Sequence, residues 1–475
     1  MTDELLRLDG LGQAALVASG AISPAELLDA VIARIEALNP AINAVIMPLY
    51  EEARAAIAAG LPEGPFRGVP FLVKDFYCHV AGTPTTNGSK LFVGNVVDHD
   101  SELTRRYRSA GLVIAGKTNV PEMVTIGTTE PMLYGPTRNP WHVGHSAGGS
   151  SGGAAAAVAA GFVALAHAND GAGSTRIPAS SCGLFGLKPS RGRITLGPDV
   201  GESIGGITSE HVVTRSVRDS AAMLDATAGS MPGDPYRAPA AQGSFLAALA
   251  QRDRPLRIAV MDEALFATEV DPRCRAAVAE AADLLGGLGH AVTWTRPAVD
   301  GEAFHRALRR FWPLTVTRGI TAAAEARGLA VDDLARELEP LNQYLVELGR
   351  RRLAVDYIGD LVCFQTLTRG LGRFLDEYDV LLTPTLAFPP PPLGHYDAAR
   401  VGGEAAFDRV IASFAFTAPA NVAGLPAASV PFAATGEGLP IGIQITAGLG
   451  GEHVLFRLAA EIEKARPWAH LHPKL

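Results

Sequence analysis

Apolar residues follow helical spacing and then strand-like runs along the first quarter of the chain. Residues 23–39 (SPAELLDAVIARIEALN) begin with a capping-box sequence and continue with apolar side chains at helical spacing, which predicts a helix ending near Asn39–Pro40. The apolar runs at 68–75 and 112–115 are short and predict buried strands, the second followed by a polar GKTN turn. Helices that alternate with short apolar strands predict an α/β protein built around a sheet.

Glycine, serine and alanine dominate residues 144–193 and set this segment apart from the rest of the chain. An alanine-rich run at 154–166 follows a glycine loop directly and predicts a helix. A flexible linker is the alternative interpretation of such a composition. Apolar runs and a basic-proline motif are interleaved with the glycines, which favours a folded segment.

The C-terminal half continues the α/β pattern without an internal repeat or a clear domain boundary, so we expect one domain over residues 1–475. The predicted elements are a surface connection at 235–260 leading into a strand, helices over 272–289 and most of 306–373, strands at 379–385, 423–431 and 438–446, and an amphipathic helix at 453–465.

The composition excludes several classes of protein. The chain has 475 residues, of which 48% are hydrophobic and 19% charged, enough for a large buried core. A net charge of −8 without a dense basic run argues against nucleic-acid and anionic-membrane partners. The N-terminal residues lack the basic and apolar regions of a secretory signal, and no apolar run of about 18–20 residues predicts a membrane span.

Cysteine usage points to a reducing compartment. Cys78, Cys182, Cys274 and Cys363 are far apart and form neither a CxxC pair nor a cluster with histidine. Scattered cysteines of this kind are typical of reduced core residues. We therefore expect a cytoplasmic protein without a metal site.

The glycine-rich segment matches one familiar motif type and falls short of another. Ser146 and Ser151 each stand in a G-x-S-x-G pattern, which is the nucleophile elbow of α/β-hydrolases. That elbow needs a preceding strand, but a proline-interrupted polar loop precedes Ser146, and the esterase would also need a C-terminal histidine such as His453. A phosphate-binding loop is not favoured, because no lysine follows the glycines and residues 171–176 stop short of G-x-G-x-x-G.

Three separated residues give a further candidate site. Ser174 follows Asp170-Gly-Ala-Gly, a sequence whose backbone N–H groups can converge as an oxyanion hole requires. Ser150 lies in a second glycine loop, and Lys74 ends an apolar strand. A serine nucleophile needs a base, and lysine can serve when burial lowers its pKa and leaves it neutral. Asp75 would oppose this effect, but adjacent side chains of a strand point to opposite faces.

These residues lie in longer sequence motifs, and further motifs occur along the chain. They are Gly148-Gly-Ser-Ser-Gly-Gly153, Asp170-x-x-Gly-Ser-x-Arg-x-Pro178, Cys182-Gly-x-x-Gly-Leu-Lys-Pro189, Gly68-Val-Pro-x-x-Val-Lys-Asp75, Gly116-Lys-Thr-Asn-x-Pro-Glu122, Pro419-x-Asn-x-x-Gly-Leu-Pro426 and Gly438-Leu-Pro-x-Gly-x-Gln444. Together these motifs resemble the amidase signature family, and the resemblance covers nearly the whole chain.

The resemblance implies a role for each matched residue. Ser174 is the expected nucleophile that forms an acyl-enzyme, Ser150 the bridging serine on a cis peptide, and Lys74 the base. The expected oxyanion hole comprises Gly171, Ala172 and Gly173 together with the N–H of Ser174, and the expected supporting residues are Ser151, Asp170 and Arg176. The family usually has glycine where this chain has Ala172. Alanine keeps its N–H, so the hole survives if this residue has a negative φ.

The resemblance also implies a fold and a reaction. The expected fold is an α/β amidase signature fold with a large mixed central β-sheet covered by helices on both faces and a signature core at about 68–215. The expected reaction is hydrolysis of the C–N bond of a small-molecule amide, without a cofactor or metal. Residues 170–205 resemble the subgroup that includes nylon-oligomer cyclic-dimer hydrolases, which implies a nonpolar, cyclic or xenobiotic amide or carbamate. A homodimer is common in the family.

Two other interpretations stay open at this point. The A-type subunit of an amidotransferase, which works only within a complex on aminoacylated tRNA, typically has glutamine after Ser-x-Arg, whereas this chain has Ile177. A catalytically inactive binding protein is disfavoured because the lysine and both serines are present. Activity of the isolated chain discriminates between these interpretations.

Overall fold

A computed structural model describes residues 2–251 and 254–475 of the chain. Within those ranges, a mixed sheet of eleven strands is flanked by helices, which confirms the predicted α/β fold with a large mixed central sheet. The order across the sheet is β1-β3-β2-β6-β8-β7-β12-β13-β11-β9-β10, and β4 and β5 form a separate hairpin. The strands are β1 (Val45–Pro48), β2 (Pro70–Lys74), β3 (Val113–Thr118), β4 (Arg138–Asn139), β5 (His142–Ser146), β6 (Leu165–Asp170), β7 (Phe185–Lys188), β8 (Ser209–Thr214), β9 (Arg257–Val260), β10 (Ala291–Trp294), β11 (Val380–Pro384), β12 (Ala427–Ala434) and β13 (Pro440–Ala447).

Helices connect and cover these strands. Short 3₁₀ turns occur at Lys90–Phe92 and Glu122–Val124. The helices are α1 (Thr2–Arg7), α2 (Gly10–Ala18), α3 (Pro24–Ile42), α4 (Tyr50–Ala59), α5 (Glu102–Ser109), α6 (Gly152–Ala159), α7 (Arg176–Cys182), α8 (Val217–Thr227), α9 (Phe245–Ala248), α10 (Pro272–Gly287), α11 (Gly301–Arg327), α12 (Val331–Ala335), α13 (Pro340–Arg350), α14 (Ala354–Glu377), α15 (Ala398–Val401), α16 (Gly403–Ser413), α17 (Ala418–Ala423) and α18 (Glu452–Ala465). No helix in the described ranges is long and apolar enough to cross a membrane.

Both faces of the sheet are buried. Along β2, Phe71 and Val73 belong to one large hydrophobic cluster, whereas Leu72 belongs to another. Alternate residues of a strand point to opposite faces, so the two clusters lie on the two sides of the sheet. Strands covered on both faces read as continuous apolar runs, which is how β2 appears in the sequence.

The strand order brings the carboxyl ends of β2 and β6 together. The two strands pair in parallel, with Leu72 opposite Ala166, and β6 pairs antiparallel with β8 along its whole length. Parallel neighbours end at the same edge of a sheet, where ligands of open α/β sheets commonly bind. Lys74 ends β2 and Asp170 ends β6, so the loop that carries Ser174 begins beside Lys74.

The predicted helix over residues 154–166 is wrong in its second half. Helix α6 ends at Ala159, Gly161 has a φ of 73°, and β6 begins at Leu165. A glycine with a left-handed backbone just past a helix is a common terminator, and the alanine-rich composition masked this signal. Strand β6 leads directly into the loop that carries Ser174.

Four other elements also differ from the prediction. Helix α3 continues past Pro40 to Ile42, where the Asn39 side chain satisfies the end by accepting from the N–H groups of Ala44 and Val45 at 2.8 and 2.9 Å. Strand β3 extends through Thr118 into the expected turn, since the pairing with β2 continues to Lys74. The residues before Ser146 form the β4–β5 hairpin instead of a loop, and strand 423–431 begins later because α17 occupies its start.

Candidate active site

Lys74 is fully buried at the end of β2 and is the centre of the candidate site. Its Nζ lies 2.7 Å from Ser150 Oγ, 2.9 Å from Ser151 Oγ and 2.5 Å from Asn169 Oδ1. The Asp75 carboxylate interacts with other residues: it accepts a hydrogen bond from the Thr86 N–H and lies 3.6 Å from Lys117 Nζ. The amine of Lys74 therefore meets two hydroxyls and an amide oxygen.

The surroundings of Lys74 favour its neutral form. Burial lowers the pKa of Lys74 to about 7, against the opposing effect of the Glu210 and Asp170 charges, which raise it. Burial acts in this direction because an ammonium loses its hydration inside the protein. Near pH 7 a large fraction of the amine is unprotonated and able to accept a proton.

Ser150 sits in a tight glycine turn that its sequence explains. The Gly149–Ser150 peptide bond is cis, which is the geometry that the resemblance implies at this serine. A Cβ on Gly149 would lie 2.3 Å from the backbone oxygen of Thr128, so only glycine fits there. Ser151 Oγ lies 3.3 Å from the carbonyl oxygen of Asn169, and helix α6 begins at the next residue.

Ser174 lies in the loop between β6 and α7 and is 7% exposed. Its carbonyl oxygen accepts a hydrogen bond from the Ser151 N–H at 3.3 Å, which joins the two serine loops through the backbone. Among the residues that the structure describes, no hydrogen bond joins the hydroxyls of Ser174 and Ser150. The structure thus links Lys74 to Ser150 by side chains, and Ser174 to the same loop by backbone.

The loop before Ser174 presents free backbone N–H groups. Within the described chain, the N–H groups of Gly171, Ala172 and Ser174 make no hydrogen bond. Gly173 differs from the expected oxyanion hole, because its N–H donates to Asp170 Oδ1 at 2.6 Å and is already occupied. Ala172 has a negative φ, as its expected role requires, whereas Gly173 has a φ of 135° that favours glycine.

Asp170 and Arg176 form a buried pair that shapes this loop. The guanidinium makes two parallel bonds of 2.9 Å to the carboxylate, from Nε to Oδ2 and from Nη2 to Oδ1. Burial raises the pKa of Asp170, but the charge and hydrogen bonds of Arg176, the Lys188 charge and the hydrogen bond from Asn421 together outweigh it and lower that pKa to about 2. A bidentate pair of this kind fixes both partners geometrically.

Residues from the C-terminal part of the chain complete the Asp170–Arg176 pair. Arg176 Nη1 donates to Gln444 Oε1 at 2.7 Å and Nη2 to Asn421 Oδ1 at 2.5 Å. Asn421 Nδ2 in turn donates to the Asp170 carboxylate at 2.8 Å, and Thr417 Oγ1 donates to the Ala172 carbonyl at 2.5 Å. No role was predicted for these residues from the sequence. Asn421 and Gln444 stand in the two C-terminal motifs, and those motifs were the signal that could have identified them.

Ser146, one of the two candidates for an elbow serine, has hydrogen-bond partners other than those of Lys74. Ser146 Oγ shares a 2.6 Å hydrogen bond with Thr128 Oγ1 and accepts from the Gly148 N–H. His453, the histidine that an esterase interpretation would need, packs against Phe245, with the ring centroids 4.4 Å apart and the rings tilted by 34°. In residues 2–251 and 254–475, no group of three or more His, Cys, Asp or Glu side chains is placed to hold a metal ion.

A cavity of about 330 Å³ lies beside the site. Phe76 lines it and has its ring centroid 6.0 Å from Lys74 Nζ, and Ile204 lines it and packs over Gly171. Tyr77 is the one lining side chain in the described chain that ionises, and its hydroxyl accepts from Ser203 Oγ at 3.2 Å. The remaining lining residues are Asn87, Phe92, Met123, Val124, Thr125, Trp312, Thr315, Gly319, Ala322 and Ala323.

Strained backbone is concentrated around this cavity. Among described residues other than glycine, six have a positive φ, and all except Asn43 line it. Such conformations persist where the surrounding structure enforces them, and they cluster at ligand sites. The five lining residues are Tyr77, Asn87, Met123, Val124 and Ile204.

Known proteins resemble the chain over nearly its full length. The family model described as Amidase matches residues 26–456. The 6-aminohexanoate-cyclic-dimer hydrolase of Paenarthrobacter ureafaciens is 40% identical, over 98% of this chain and 96% of that protein. The putative amidase AmiC of Mycobacterium tuberculosis is 37% identical, over 99% of this chain and 97% of that protein.

Solved structures agree with these matches. A 6-aminohexanoate cyclic dimer hydrolase complexed with substrate superposes with a TM-score of 0.91 at 37% identity, covering 99% of both chains. A bacterial aryl acylamidase of the amidase signature enzymes gives a TM-score of 0.89 at 27% identity, covering 97% of both chains. The A-type subunit of the glutamyl-tRNA(Gln) amidotransferase from Thermotoga maritima gives 0.76 at 25% identity, covering 98% of this chain and 96% of that one. The chain therefore belongs to the amidase signature family of amidohydrolases.

Proposed function

We propose that the protein hydrolyses carboxylic amides through an acyl-enzyme on Ser174, with Ser150 and Lys74 as the proton relay. The observation that carries this proposal is the 2.7 Å contact between Ser150 Oγ and the fully buried Nζ of Lys74. Burial lowers the pKa of this lysine to about 7, which suits a general base at neutral pH.

Acylation follows from this arrangement. Neutral Lys74 accepts the proton of Ser150 while Ser150 accepts that of Ser174, and Ser174 Oγ attacks the amide carbon. The negative charge that develops on the carbonyl oxygen is stabilised by the free N–H groups of Gly171, Ala172 and Ser174. The intermediate collapses as Ser150 returns a proton to the departing nitrogen and takes one from Lys74, and the C–N bond breaks.

Deacylation uses the same groups with water in place of the serine. A water molecule gives its proton to Ser150 as its oxygen attacks the acyl carbon, and Ser150 passes a proton to Lys74. The second tetrahedral intermediate releases Ser174 as a hydroxyl, with the proton returned through Ser150, and the carboxylic acid leaves. The relay ends in its starting state, so no cofactor enters the cycle.

The cavity beside the site supports an uncharged, largely apolar substrate. Its lining is aliphatic and aromatic with a few hydroxyl and amide groups. No lining side chain in the described chain carries a charge that would compensate an ammonium or carboxylate for its lost hydration. The similarity to hydrolases named for a cyclic amide dimer and for aryl acylamides is consistent with this class.

The test is to trap the acyl group. The purified protein is treated with a slow amide substrate or a phosphonylating reagent, and the modified peptide is identified by mass spectrometry. The proposal expects the adduct on Ser174, and a Ser174→Ala variant that forms no adduct and loses several orders of magnitude in kcat. An adduct on Ser146 or Ser151 would replace the relay with an elbow serine.

A homodimer and a cytoplasmic location stay predictions from the sequence and its family resemblance. Sedimentation of the purified protein measures the first, and cell fractionation measures the second. Neither result affects the chemistry proposed for Ser174.

A further inference from the structure

A closed ring of buried hydrogen bonds surrounds the base. Lys74 Nζ contacts Asn169 Oδ1 at 2.5 Å, and Asn169 Nδ2 donates to Glu210 Oε1 at 3.3 Å. The other oxygen of Glu210 lies 2.7 Å from His167 Nε2, and the backbone N–H of Lys74 donates to His167 Nδ1 at 3.2 Å. All four side chains are at most 3% exposed.

The pairing of three strands builds this ring. In the antiparallel pair of β6 and β8, Asn169 lies opposite Glu210, so their side chains share one face. His167 is two positions before Asn169 and points to the same face. Lys74 is on β2, the other neighbour of β6.

Donors and acceptors fix the direction of each bond. A backbone N–H can only donate, so in the neutral ring His167 Nδ1 accepts from Lys74 and the proton lies on Nε2. Burial lowers the pKa of His167, but Cys78 and Glu210 outweigh it and raise that pKa to about 9, and Nε2 carries a hydrogen in the protonated ring as well. His167 Nε2 then donates to Glu210, which also accepts from the amide nitrogen of Asn169. With Nδ2 held by Glu210, Asn169 must present its oxygen to Lys74.

The same reasoning places the lone pair of Lys74. A neutral amine has two N–H bonds and one lone pair, and Asn169 Oδ1 can only accept one of those hydrogens. Ser151 Oγ directs its own hydrogen to the Asn169 carbonyl at 3.3 Å and is left to accept the second from Nζ at 2.9 Å. The lone pair is then directed at the third neighbour, Ser150.

We propose that Asn169, held in orientation by Glu210 and His167, is a positioning residue that turns the lone pair of Lys74 toward Ser150. The inference rests on the relay described under Proposed function. Without Asn169, the amine can direct its lone pair at Ser151 instead, and Ser150 would lose its proton acceptor. The ring thus favours proton transfer from Ser150 to Lys74.

Charged groups around Lys74 make the pH dependence of kcat/KM a test of this proposal. Asp170 is on β6 with His167, Glu210 is on β8, and Asp75 directly follows β2 and is paired with Lys117 of β3, which lies opposite Val73. The Glu210 charge favours the protonated amine, so its removal lowers the pKa of Lys74. The acid limb of kcat/KM should therefore move to lower pH when Glu210 is neutralised.

The experiment compares two ring variants with a matched control. Asn169→Ala removes the orienting acceptor, and Glu210→Gln keeps the size of the side chain but removes its charge. Glu452→Gln makes the same change at another fully buried carboxylate, which is paired with Arg193 at 2.9 Å and lies outside the ring. Melting temperature, kcat, KM and the pH profile are measured for each.

We expect Asn169→Ala to lower kcat by at least about tenfold with little change in KM, because the interaction acts on the base and not on the substrate. Glu210→Gln should lower kcat and also move the acid limb to lower pH. Glu452→Gln should lower the melting temperature and leave the limb in place. Either ring variant alone tests the proposal if the other fails to fold.

The proposal is overturned if a folded Asn169→Ala variant keeps the wild-type kcat, or if the limb of Glu210→Gln coincides with that of the wild type. Its failure is distinguishable from failure of the relay itself. If only the role of Asn169 is wrong, Lys74→Ala is inactive while the ring variants are normal. If the relay itself is wrong, Lys74→Ala retains activity.

Discussion

The Nζ of Lys74 lies 2.7 Å from the Oγ of Ser150, although the two residues are 76 positions apart in the chain. Both side chains are buried, at 0% and 1% exposure. A lysine in bulk water is almost fully protonated at neutral pH, so this contact alone would not make it a base. Burial provides the missing condition, because it lowers the pKa of Lys74 to about 7.

Replacing Lys74 should distinguish a lysine base from a histidine base. Lys74→Ala should lower kcat by about 10²–10⁴-fold, the usual contribution of a general base. Lys74→Arg should not restore activity, because a guanidinium stays charged and cannot accept a proton. The control is His453→Ala, which should turn over at the wild-type rate; the opposite pattern in these variants would favour an esterase-like mechanism.

The pH profile should show one acid limb near neutrality. Below the pKa of about 7 Lys74 is protonated and cannot act as a base, so kcat/KM should rise through this pH and remain high in the alkaline range. Lys188 is a second fully buried lysine whose pKa burial lowers to about 7. The pH profiles of the wild type and Lys188→Met should have the same acid limb. If the limb disappears in Lys188→Met, it reports the titration of Lys188 and not that of Lys74.

The isolated chain should hydrolyse amides without a partner protein. Ile177, which stands where the A-type subunit of an amidotransferase typically has glutamine, is buried, and its Cδ1 would lie 2.7 Å from a Cβ on Gly173. An apolar side chain there offers no hydrogen bond to the serine loop. Turnover is measured with purified protein in excess chelator; activity that requires a second protein or aminoacylated tRNA would favour the amidotransferase interpretation.

Filling the cavity should reduce activity on substrates with long acyl groups more than activity on substrates with short ones. Gly319 lines it, and a Cβ there would lie 2.9 Å from the flexible end of Met123, so Gly319→Leu should reduce the space for a long acyl group. We expect kcat/KM for a hexanoyl anilide to fall by about 10-fold or more, whereas that for an acetyl anilide changes little.

Gly372→Leu serves as the matched control for this experiment, because Gly372 is also helical and half-buried but has open space around it. Both anilides should react with this variant as with the wild type. A hexanoyl anilide that ends in a carboxylate should be a poor substrate throughout, since the described lining offers it no cation. Equal losses for both acyl lengths in Gly319→Leu would place the substrate elsewhere.

Local patterns in the sequence were sufficient to predict the strand that ends at Lys74, the helix capped by Ser23 and the two glycine-serine loops. Each of these features depends on residues within one element or turn, so its signal is contained in a short stretch of the chain. The resemblance to the amidase signature family added the roles that we expect for the lysine and the serines. It also implied the oxyanion hole, in which the structure finds the Gly173 N–H already occupied by Asp170.

Tertiary structure alone decided how these segments meet. The register that sets Asn169 opposite Glu210 and the side-by-side placement of β2 and β6 join residues 41 and 95 positions apart. A strand's own pattern shows which face is buried but does not encode its neighbour, so the hydrogen-bond ring around Lys74 could not be predicted. The pKa of Lys74 belongs to the same category, because desolvation depends on everything that packs around the amine and not on the residues beside it in the chain.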